Sequence, residues 1–268
     1  MVSWAVTGAT RGIGFGFIDN LSADPKNQVF ALIRSRATAG SLEALAAKRK
    51  NVHIIVTDIS DPQKLDDTAA QVSKLTGGSL DILILNAGSA VPETGFIPPT
   101  GFRGKEEALD KEINENVKNN LICNIYVINC FLDLVRNGRE KKIIFISTQS
   151  CDVEFTRITG FAPVMGYSVA KAGMNIVMTK FGAELAPEGI KTLSLSPGWV
   201  DTDASRAITG DPETRKFALN AFRKFDPNVT GPISVDESVT CMLRVIGDLT
   251  QANSGKFLSH RGTAEQGF

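Results

Sequence analysis

Residues 7–14 read TGATRGIG, a glycine-rich segment between an apolar run, Val2–Val6, and a stretch of helical periodicity, Gly14–Asn20. Glycine permits a tight turn and lets a bound phosphate approach the backbone. The first turn of the following helix offers free N–H groups and a partial positive charge. A strand, this turn and a helix in that order predict a nucleotide-binding site. Its predicted cofactor contacts are Gly8, Arg11, Gly12, Ile13 and Gly14.

The same alternation of apolar runs and helix-like stretches continues along the chain. The predicted strands are short and apolar on both faces, as buried parallel strands are: Val2–Val6, Gln28–Ile33, His53–Val56, Asp81–Leu85, Lys142–Ile146, Lys191–Leu195 and a weak run at Gly255–Leu258. The predicted helices are Gly14–Asn20, Ser41–Lys48, Gln63–Leu75, Glu106–Arg136, Tyr167–Leu185 and Val235–Ile246. This alternation predicts one α/β domain, a doubly wound parallel sheet of about seven strands with helices on both faces.

Composition narrows the class of protein. The 268 residues suit a single large domain, and the 43% hydrophobic and 22% charged content is ordinary for a globular protein. Lys+Arg and Asp+Glu both number 29, so the chain has no net charge and nucleic acid is not an expected partner. The four cysteines and two histidines show no spacing typical of a metal site, so we expect reduced thiols and no metal.

Membrane insertion and export are not expected either. No apolar run approaches the roughly 18 residues that a membrane-spanning helix needs. The chain enters a predicted strand at once, which predicts a cytoplasmic protein without a signal peptide.

Two long connections resist assignment to helix or strand. They are Ser89–Lys105 and Asp203–Ile233, and both follow strands at the predicted ligand-binding edge. Long connections in compact domains are often functional lids. We therefore predict that residues 203–233 form a lid over the substrate.

Polar residues at the ends of the second and third strands bear on the choice of cofactor. Arg34 stands where an acidic residue would bind the adenosine ribose of NAD. Arg34 and Arg11 can instead clamp a 2′-phosphate, which predicts NADP(H). The alternative is that both arginines are solvated surface residues. Asp58 is a candidate acceptor for the adenine amine, and the next residue, Ile59, is also a predicted cofactor contact.

The segments after the fourth and sixth strands complete the predicted cofactor site. Asn86-Ala87-Gly88 carries little side-chain bulk and would pass beside the adenosine half. Pro197-Gly198 makes a turn, after which the backbone of Val200 and the hydroxyl of Thr202 can hold a carboxamide. Trp199 either walls the pocket or is ordinary core.

The predicted chemical centre is YSVAK, residues 167–171. Tyr167 and Lys171 are four residues apart and share one helix face. A free phenol has a pKa of about 10, and we expect the nearby ammonium and an oxidised nicotinamide to lower it. The alternative interpretation is a surface contact between a tyrosine and a lysine.

TGATRGIG, NAG, YSVAK and PGWVDT, taken in this order, closely resemble the motifs of the short-chain dehydrogenase/reductase family. The resemblance covers essentially the whole chain. It implies a Rossmann-type fold and an NADP(H)-dependent oxidoreductase acting on a carbonyl or alcohol. It also implies that Tyr167 is the proton donor and Lys171 the ribose anchor. Since family members commonly pair through their long helices, it further implies a homodimer or homotetramer.

Two members of the catalytic tetrad that the family implies have more than one candidate in this sequence. Asn120 is our choice for the helix asparagine, with Asn116, Asn119 and Asn124 as alternatives. Thr148 stands where the family usually has a serine that bonds the substrate oxygen. Its hydroxyl can keep the role, although its methyl group restricts χ1. The alternatives for the hydroxyl are Ser147 and Ser150.

The C-terminal Ser254–His260 is loosely similar to a branch of fungal and bacterial members that includes ketoreductases of the norsolorinic acid type. This similarity implies a bulky, hydrophobic carbonyl substrate. Candidate apolar contacts are Phe96, Phe102, Phe155, Phe161, Trp199 and Phe217. The alternative is that these phenylalanines pack the lid onto the body. Two other classes of function stay open: a non-redox cyclase, lyase or isomerase, and a cofactor-binding regulator.

Overall fold

A computed structural model describes residues 1–91 and 93–264, apart from the side chain of residue 208. The strands are β1 (Ser3–Thr7), β2 (Gln28–Ile33), β3 (Val52–Val56), β4 (Ile82–Leu85), β5 (Lys142–Ile146), β6 (Lys191–Ser196) and β7 (Lys256–Ser259). The helices are α1 (Gly12–Ser22), α2 (Gly40–Lys48), α3 (Pro62–Thr76), α4 (Glu106–Val117), α5 (Cys123–Asn137), α6 (Val153–Thr159), α7 (Met165–Leu185), α8 (Asp203–Thr209), α9 (Pro212–Phe222) and α10 (Val235–Gly247).

The strands form one parallel sheet in the order β3-β2-β1-β4-β5-β6-β7. After β3 the chain returns to the centre of the sheet and forms β4 on the other side of β1. The connection that leaves β1 and the connection that leaves β4 therefore run toward opposite edges of the sheet. In open α/β sheets this switch point leaves a crevice at the carboxyl ends of the strands. The predicted Rossmann-type fold of seven strands is confirmed.

Helices cover both faces of the sheet, as predicted, and each face has its own apolar core. On one side Phe17, Leu42 and Met242 bring α1, α2 and α10 against the strands. On the other side Phe131 and Met178 do the same for α5 and α7. Burial of large apolar side chains at about 25 cal/mol per Å² is the main force that holds the layers together. Within residues 1–91 and 93–264, no helix is long and apolar enough to cross a membrane.

The predicted helix Glu106–Arg136 is wrong in one respect. Its α-helical hydrogen bonding is interrupted by a π-helical turn at Lys118–Ile122, between α4 and α5. A π-turn inside an α-helix often occurs at a functional site. Here it contains Asn120, which is fully buried.

The two unassigned connections differ in structure. In Ser89–Lys105 the described residues include one short 3₁₀ helix, Pro99–Phe102. Asp203–Ile233, in contrast, contains α8 and α9. Thr202 caps α8 and Asp211 caps α9 through side-chain acceptors, which is why helices begin at these points.

Candidate active site

A cleft of about 850 Å³ lies at the carboxyl ends of the strands. Its volume is within the range of about 300–1,000 Å³ that is usual for small-molecule sites. Every predicted cofactor residue borders it: Gly8, Arg11, Gly12, Ile13, Gly14, Arg34, Asp58, Ile59, Asn86, Ala87, Gly88, Tyr167, Lys171, Pro197, Gly198, Val200 and Thr202. Thr148 also borders the cleft. Asn120 does not border it and lies behind the cleft wall.

The glycine turn after β1 is packed too closely for larger residues. Gly8 has a φ of +66°, and a Cβ added there would lie 2.9 Å from the Cα of Ala87. A Cβ on Gly14 would collide with the carbonyl oxygen of Gly8. The Nδ2 of Asn86 donates to the carbonyl oxygens of Thr7 (3.0 Å) and Gly8 (3.2 Å). The ends of β1 and β4 are therefore held together, and the first turn of α1 faces the cleft with its free N–H groups.

Three charged side chains border the cleft at the ends of β1, β2 and β3. Arg11 and Arg34 are exposed, and in the described part of the chain neither forms an ion pair within 4.0 Å. The Oδ1 of Asp58 accepts hydrogen bonds from the backbone N (2.9 Å) and Oγ (2.8 Å) of Ser60. These bonds lower the pKa of Asp58, so that it is a carboxylate at neutral pH.

Helix α7 places Tyr167 and Lys171 on one side of the cleft, as their spacing predicts. The Nζ of Lys171 lies 5.4 Å from the centroid of the Tyr167 ring and donates to the carbonyl oxygen of Ile146 at 2.7 Å. Lys171 is 2% exposed. The end of β5 therefore fixes the ammonium group, and α7 holds the phenol beside it.

Burial controls the protonation of both groups. It raises the pKa of Tyr167, opposite to the predicted direction. It lowers the pKa of Lys171 to about 7. A low-dielectric environment disfavours the phenolate as well as the ammonium, and for the protein chain itself this outweighs their mutual attraction. The predicted lowering of the Tyr167 pKa by Lys171 is therefore wrong for the chain alone.

The three candidate hydroxyl groups after β5 differ in their surroundings. Ser147 is 2% exposed, and its Oγ lies 3.5 Å from the Sγ of Cys151. Thr148 and Ser150 are half-buried at the cleft wall, with their hydroxyl oxygens 2.8 Å apart. The Oγ1 of Thr148 also accepts from the backbone N of Ser150 at 3.3 Å. Thr148 and Ser150 thus form a hydroxyl pair that is more accessible than Ser147.

The π-helical turn directs Asn120 toward the loop that follows β4. Its Nδ2 donates to the carbonyl oxygen of Ser89 (2.7 Å), and its Oδ1 accepts from the backbone N of Ser89 (3.1 Å). A Cβ added to Gly88 would lie 2.5 Å from this Oδ1 and 3.4 Å from the Nζ of Lys171. Asn120 and Lys171 therefore approach the same glycine, and of the two only Lys171 borders the cleft.

The alternative asparagines have other contacts. Asn116 donates to the carbonyl oxygen of Glu112 at 2.8 Å. Asn124 donates to the carbonyl oxygen of Asn120 at 3.0 Å. Asn119 borders the cleft and donates to the Oγ of Ser89 at 3.3 Å. Asn120 combines burial with proximity to Lys171, and its catalytic role stays a prediction.

The turn after β6 also borders the cleft. Gly198 has a φ of +83°, and a Cβ there would lie 2.9 Å from the Cε1 of His260. The Oγ1 of Thr202 accepts from the backbone N of Ser205 at 3.1 Å, which caps α8. Since a hydroxyl group is also a donor, the proton of Thr202 can still bond a ligand.

Residues 4–213 match the family model described as short chain dehydrogenase. This chain belongs to the short-chain dehydrogenase family. It is 52% identical to the short-chain dehydrogenase/reductase atnB of Arthrinium sp over 262 residues, covering 98% of each chain. It is 34% identical to the short-chain dehydrogenase/reductase AacuF of Aspergillus aculeatus, covering 99% of each. The chain is thus an oxidoreductase of this family.

Solved structures of carbonyl reductases share the fold. The NADPH-bound carbonyl reductase from chicken fatty liver is 28% identical, with a TM-score of 0.77 and 97% of each chain covered. The carbonyl reductase Sniffer of D. melanogaster is 23% identical, with a TM-score of 0.80 and 100% of each chain covered. At 23% identity, the similarity to Sniffer supports a shared fold and nothing more.

In this short-chain dehydrogenase, aromatic residues wall the cleft beside Thr148. Phe161, Trp199 and Phe222 border it, and the rings of Trp199 and Phe222 meet edge to face at 5.2 Å between centroids. Phe155 borders a side recess of the cleft. The predicted contacts Phe161, Trp199 and Phe155 are therefore at the cleft or its recess.

The remaining predicted aromatic contacts are wrong. Phe102 is buried away from the cleft, while Phe96 and Phe217 are exposed, and none of the three borders the cleft or the recess. Phe222 was missed. Its signal is the helical spacing of Ala218, Ala221, Phe222 and Phe225, which turns one face of α9 toward Trp199 and Phe155.

Proposed function

We propose that this protein uses NADP(H) to reduce a ketone or aldehyde on a hydrophobic substrate, or to oxidise the corresponding alcohol. One observation carries the proposal. A single cleft is bordered by the Tyr167–Lys171 pair, by the hydroxyl group of Thr148 and by the glycine turn with Arg11 and Arg34. Aromatic walls beside Thr148 suit an apolar substrate.

The residues that border the cleft fit a dinucleotide. The turn at Gly8 leaves room for no Cβ and presents the N-terminus of α1, as pyrophosphate binding requires. Arg11 and Arg34 would bind a 2′-phosphate, and Thr202 would donate to the carboxamide. The NADPH named for the 28% identical carbonyl reductase supports this choice of cofactor. When bound, the nicotinamide would supply the hydride.

The side chains of the site would handle the proton. The raised pKa of Tyr167 keeps its phenol protonated at neutral pH, which suits donation to a carbonyl oxygen. The hydroxyl of Thr148 would donate to the same oxygen and orient it. Lys171, with a pKa of about 7, can gain or lose a proton readily near neutrality. Asn120 would hold this arrangement from behind Gly88. Donors fixed in advance in this way stabilise a developing oxyanion by several kcal/mol.

The direct test is to incubate the purified protein with NADPH or NADH and ketones of graded size. We expect loss of NADPH absorbance with a hydrophobic ketone. Conversion of a substrate without any change in absorbance would indicate a non-redox reaction. Tight NADPH binding without oxidation across the panel would indicate a regulator.

Replacing Arg34 with aspartate is expected to lower the preference for NADPH over NADH, measured as the ratio of kcat/KM, by about 10- to 100-fold. A hydrogen bond to a charged group contributes about 1.5–3 kcal/mol, and about 1.4 kcal/mol is a factor of ten. Arg36→Asp is the matched control because Arg36 is also exposed but pairs with Glu43 at 3.1 Å. An unchanged ratio in Arg34→Asp would remove Arg34 from the cofactor site.

Replacing Thr148 with valine, which keeps the shape and loses the hydroxyl, is expected to lower kcat/KM by about 100-fold. Thr148→Ser should retain most of the activity. Ser150→Ala should cost less than about tenfold because its hydroxyl bonds that of Thr148 at 2.8 Å and acts indirectly. A larger loss in Ser150→Ala than in Thr148→Val would transfer the role to Ser150.

We also propose that residues 203–233 form the substrate lid and that the protein is a homodimer or homotetramer. For the lid, the support is α9, which brings Phe222 to the cleft. For assembly, the support is α7, where Val169 and Ile176 are 50% and 61% exposed and lie seven residues apart on one face. Light scattering at micromolar concentration should give a multiple of 28.8 kDa. A monomeric mass would contradict the assembly.

A further inference from the structure

Next to Thr148 the cleft opens into a side recess of about 90 Å³. Four aromatic residues contribute its walls: Phe155, Phe161, Trp199 and Phe222. The rings of Phe161 and Phe222 are 5.3 Å apart, and those of Phe155 and Phe222 are 5.6 Å apart. The remaining border is Thr148, Gln149, Ser150 and Gly198. The recess is therefore mostly apolar, and it shares Thr148 and Ser150 with the cleft in which the reacting oxygen would bind.

One polar side chain in this border is without a partner. Gln149 is 6% exposed, and no other described residue forms a hydrogen bond with its side-chain amide. The hydroxyl groups of Thr148 and Ser150, by contrast, bond each other at 2.8 Å. The amide nitrogen and oxygen are not fully enclosed, so the group can bond a ligand without first breaking a bond to the described residues.

The short turn that contains Gln149 keeps this residue in the recess. Thr148 begins the turn by accepting from the backbone N of Ser150 at 3.3 Å. The carbonyl oxygen of Gln149 accepts from the backbone N of Asp152 at 2.9 Å. These two bonds fix the backbone of the turn. Neither of them uses the side-chain NH2 group or the side-chain oxygen of Gln149.

We propose that the recess is a substrate subsite for one aromatic ring that carries a hydroxyl or carbonyl group, with Gln149 as its hydrogen-bonding partner. The aromatic walls would stack on the flat ring, and the amide would bond its polar substituent. At about 90 Å³ the recess is smaller than the apolar cavity of about 150 Å³ that holds benzene, so it has room for no more than one ring, part of which would extend into the cleft. This inference rests on the proposed function, which it narrows to ketones with an oxygenated aromatic ring near the carbonyl.

The test compares ligands that differ in one group. The pairs are 3-hydroxyacetophenone with 3-methylacetophenone, and 4-hydroxyacetophenone with 4-methylacetophenone. Their dissociation constants are measured by ligand-observed NMR in the presence of NADP⁺, where no reduction can occur. For one of the two positions we expect the hydroxyl compound to bind at least about tenfold more tightly than its methyl partner.

Gln149→Met keeps the length of the side chain and removes its polar group. The ratio of the two dissociation constants should fall to about one in this variant, whereas Ser150→Ala should preserve it. Using a ratio within one protein cancels any loss of folded material. Thermal unfolding gives a second measurement: since the amide forms no hydrogen bond with the described residues, the Tm of Gln149→Met should stay unchanged.

Three results would overturn the subsite: no hydroxyl preference in the unmodified protein, a preference that survives in Gln149→Met, or one that is lost in Ser150→Ala. Turnover of the same ketones with NADPH is measured separately. A hydroxyl preference that depends on Gln149, without any NADPH oxidation, would contradict the proposed function and keep the subsite. NADPH oxidation without a hydroxyl preference would support the proposed function and contradict the subsite.

Discussion

Replacing Tyr167 with phenylalanine should lower kcat for ketone reduction by about a thousandfold, because general acid catalysis contributes about 10²–10⁴. Phenylalanine fills the same space and removes only the hydroxyl group. The dissociation constant for NADPH, measured by fluorescence titration, should change by less than about threefold, since the glycine turn and the arginines that would bind the cofactor are untouched.

The chain provides a matched control for this experiment. It has two tyrosines, and the other one, Tyr126, lies on α5 with the Nζ of Lys118 4.8 Å from its ring centroid. Phenylalanine retains this cation–π contact, so Tyr126→Phe should keep full activity. If Tyr167→Phe retained more than a tenth of the turnover, Tyr167 would not be the proton donor.

Replacing Lys171 with methionine is expected to abolish activity and at the same time to stabilise the fold. The pKa of Lys171 is about 7 in the folded protein, against an ordinary 10.5. At about 1.36 kcal/mol per pK unit, holding this group costs the folded state up to about 5 kcal/mol. Losing the hydrogen bond to Ile146 offsets roughly half of that gain. A net gain of about 2 kcal/mol at pH 6 would raise the Tm by about 5 °C.

The pH dependence gives this prediction a definite sign. A lysine with a lowered pKa binds fewer protons in the folded state than in the unfolded state between about pH 7 and 10.5. The cost is therefore complete below pH 7 and disappears as the pH rises through that window. The difference in Tm between Lys171→Met and the unmodified protein should be largest at pH 6 and should shrink toward pH 10. A difference that grows with pH would contradict the assignment.

Lys142 is a suitable control because it is equally buried. Its Nζ donates to the carbonyl oxygens of Ile246 (3.0 Å) and Gly247 (3.3 Å) and pairs with Glu140 at 3.1 Å. Lys142→Met would remove these two hydrogen bonds and the ion pair with Glu140, so it should lower the Tm. If both variants lowered the Tm, burial of Lys171 would not destabilise the fold, and it would not be the cause of the lowered pKa of this residue.

The fold was predictable from the sequence because local patterns and topology agree. The strand–turn–helix around residues 7–14 was predicted to within two residues at each end, since glycines and a buried apolar run are strong local signals. Once the strands are parallel, their carboxyl ends must lie along one edge. Gly8, Asp58 and Gly198 border one cleft for that reason, although they are far apart in the chain.

Three features of the site differ from the sequence-based predictions because they depend on how distant parts of the chain pack together. The direction of the Tyr167 pKa shift depends on how deeply the hydroxyl is buried, which the spacing of Tyr167 and Lys171 does not contain. Phe222 and Phe217 both lie on α9, and the orientation of that helix decides which of them borders the cleft. The π-helical turn at Lys118–Ile122 shifts the apolar pattern by one position, and the sequence does not show this shift because apolar residues lie on more than one face of the stretch.

That turn also limits how this region of the chain can change in length. A π-helical turn holds one residue more than an α-helical turn, so a deletion of one residue within Lys118–Ile122 would leave a continuous α-helix and keep the faces of α4 and α5 nearly unchanged. Phe131 would stay in the core, whereas the side chain of Asn120 would lose its hydrogen bonds with Ser89. Homologues that lack this residue should therefore keep the apolar core and need another group to hold the loop after β4.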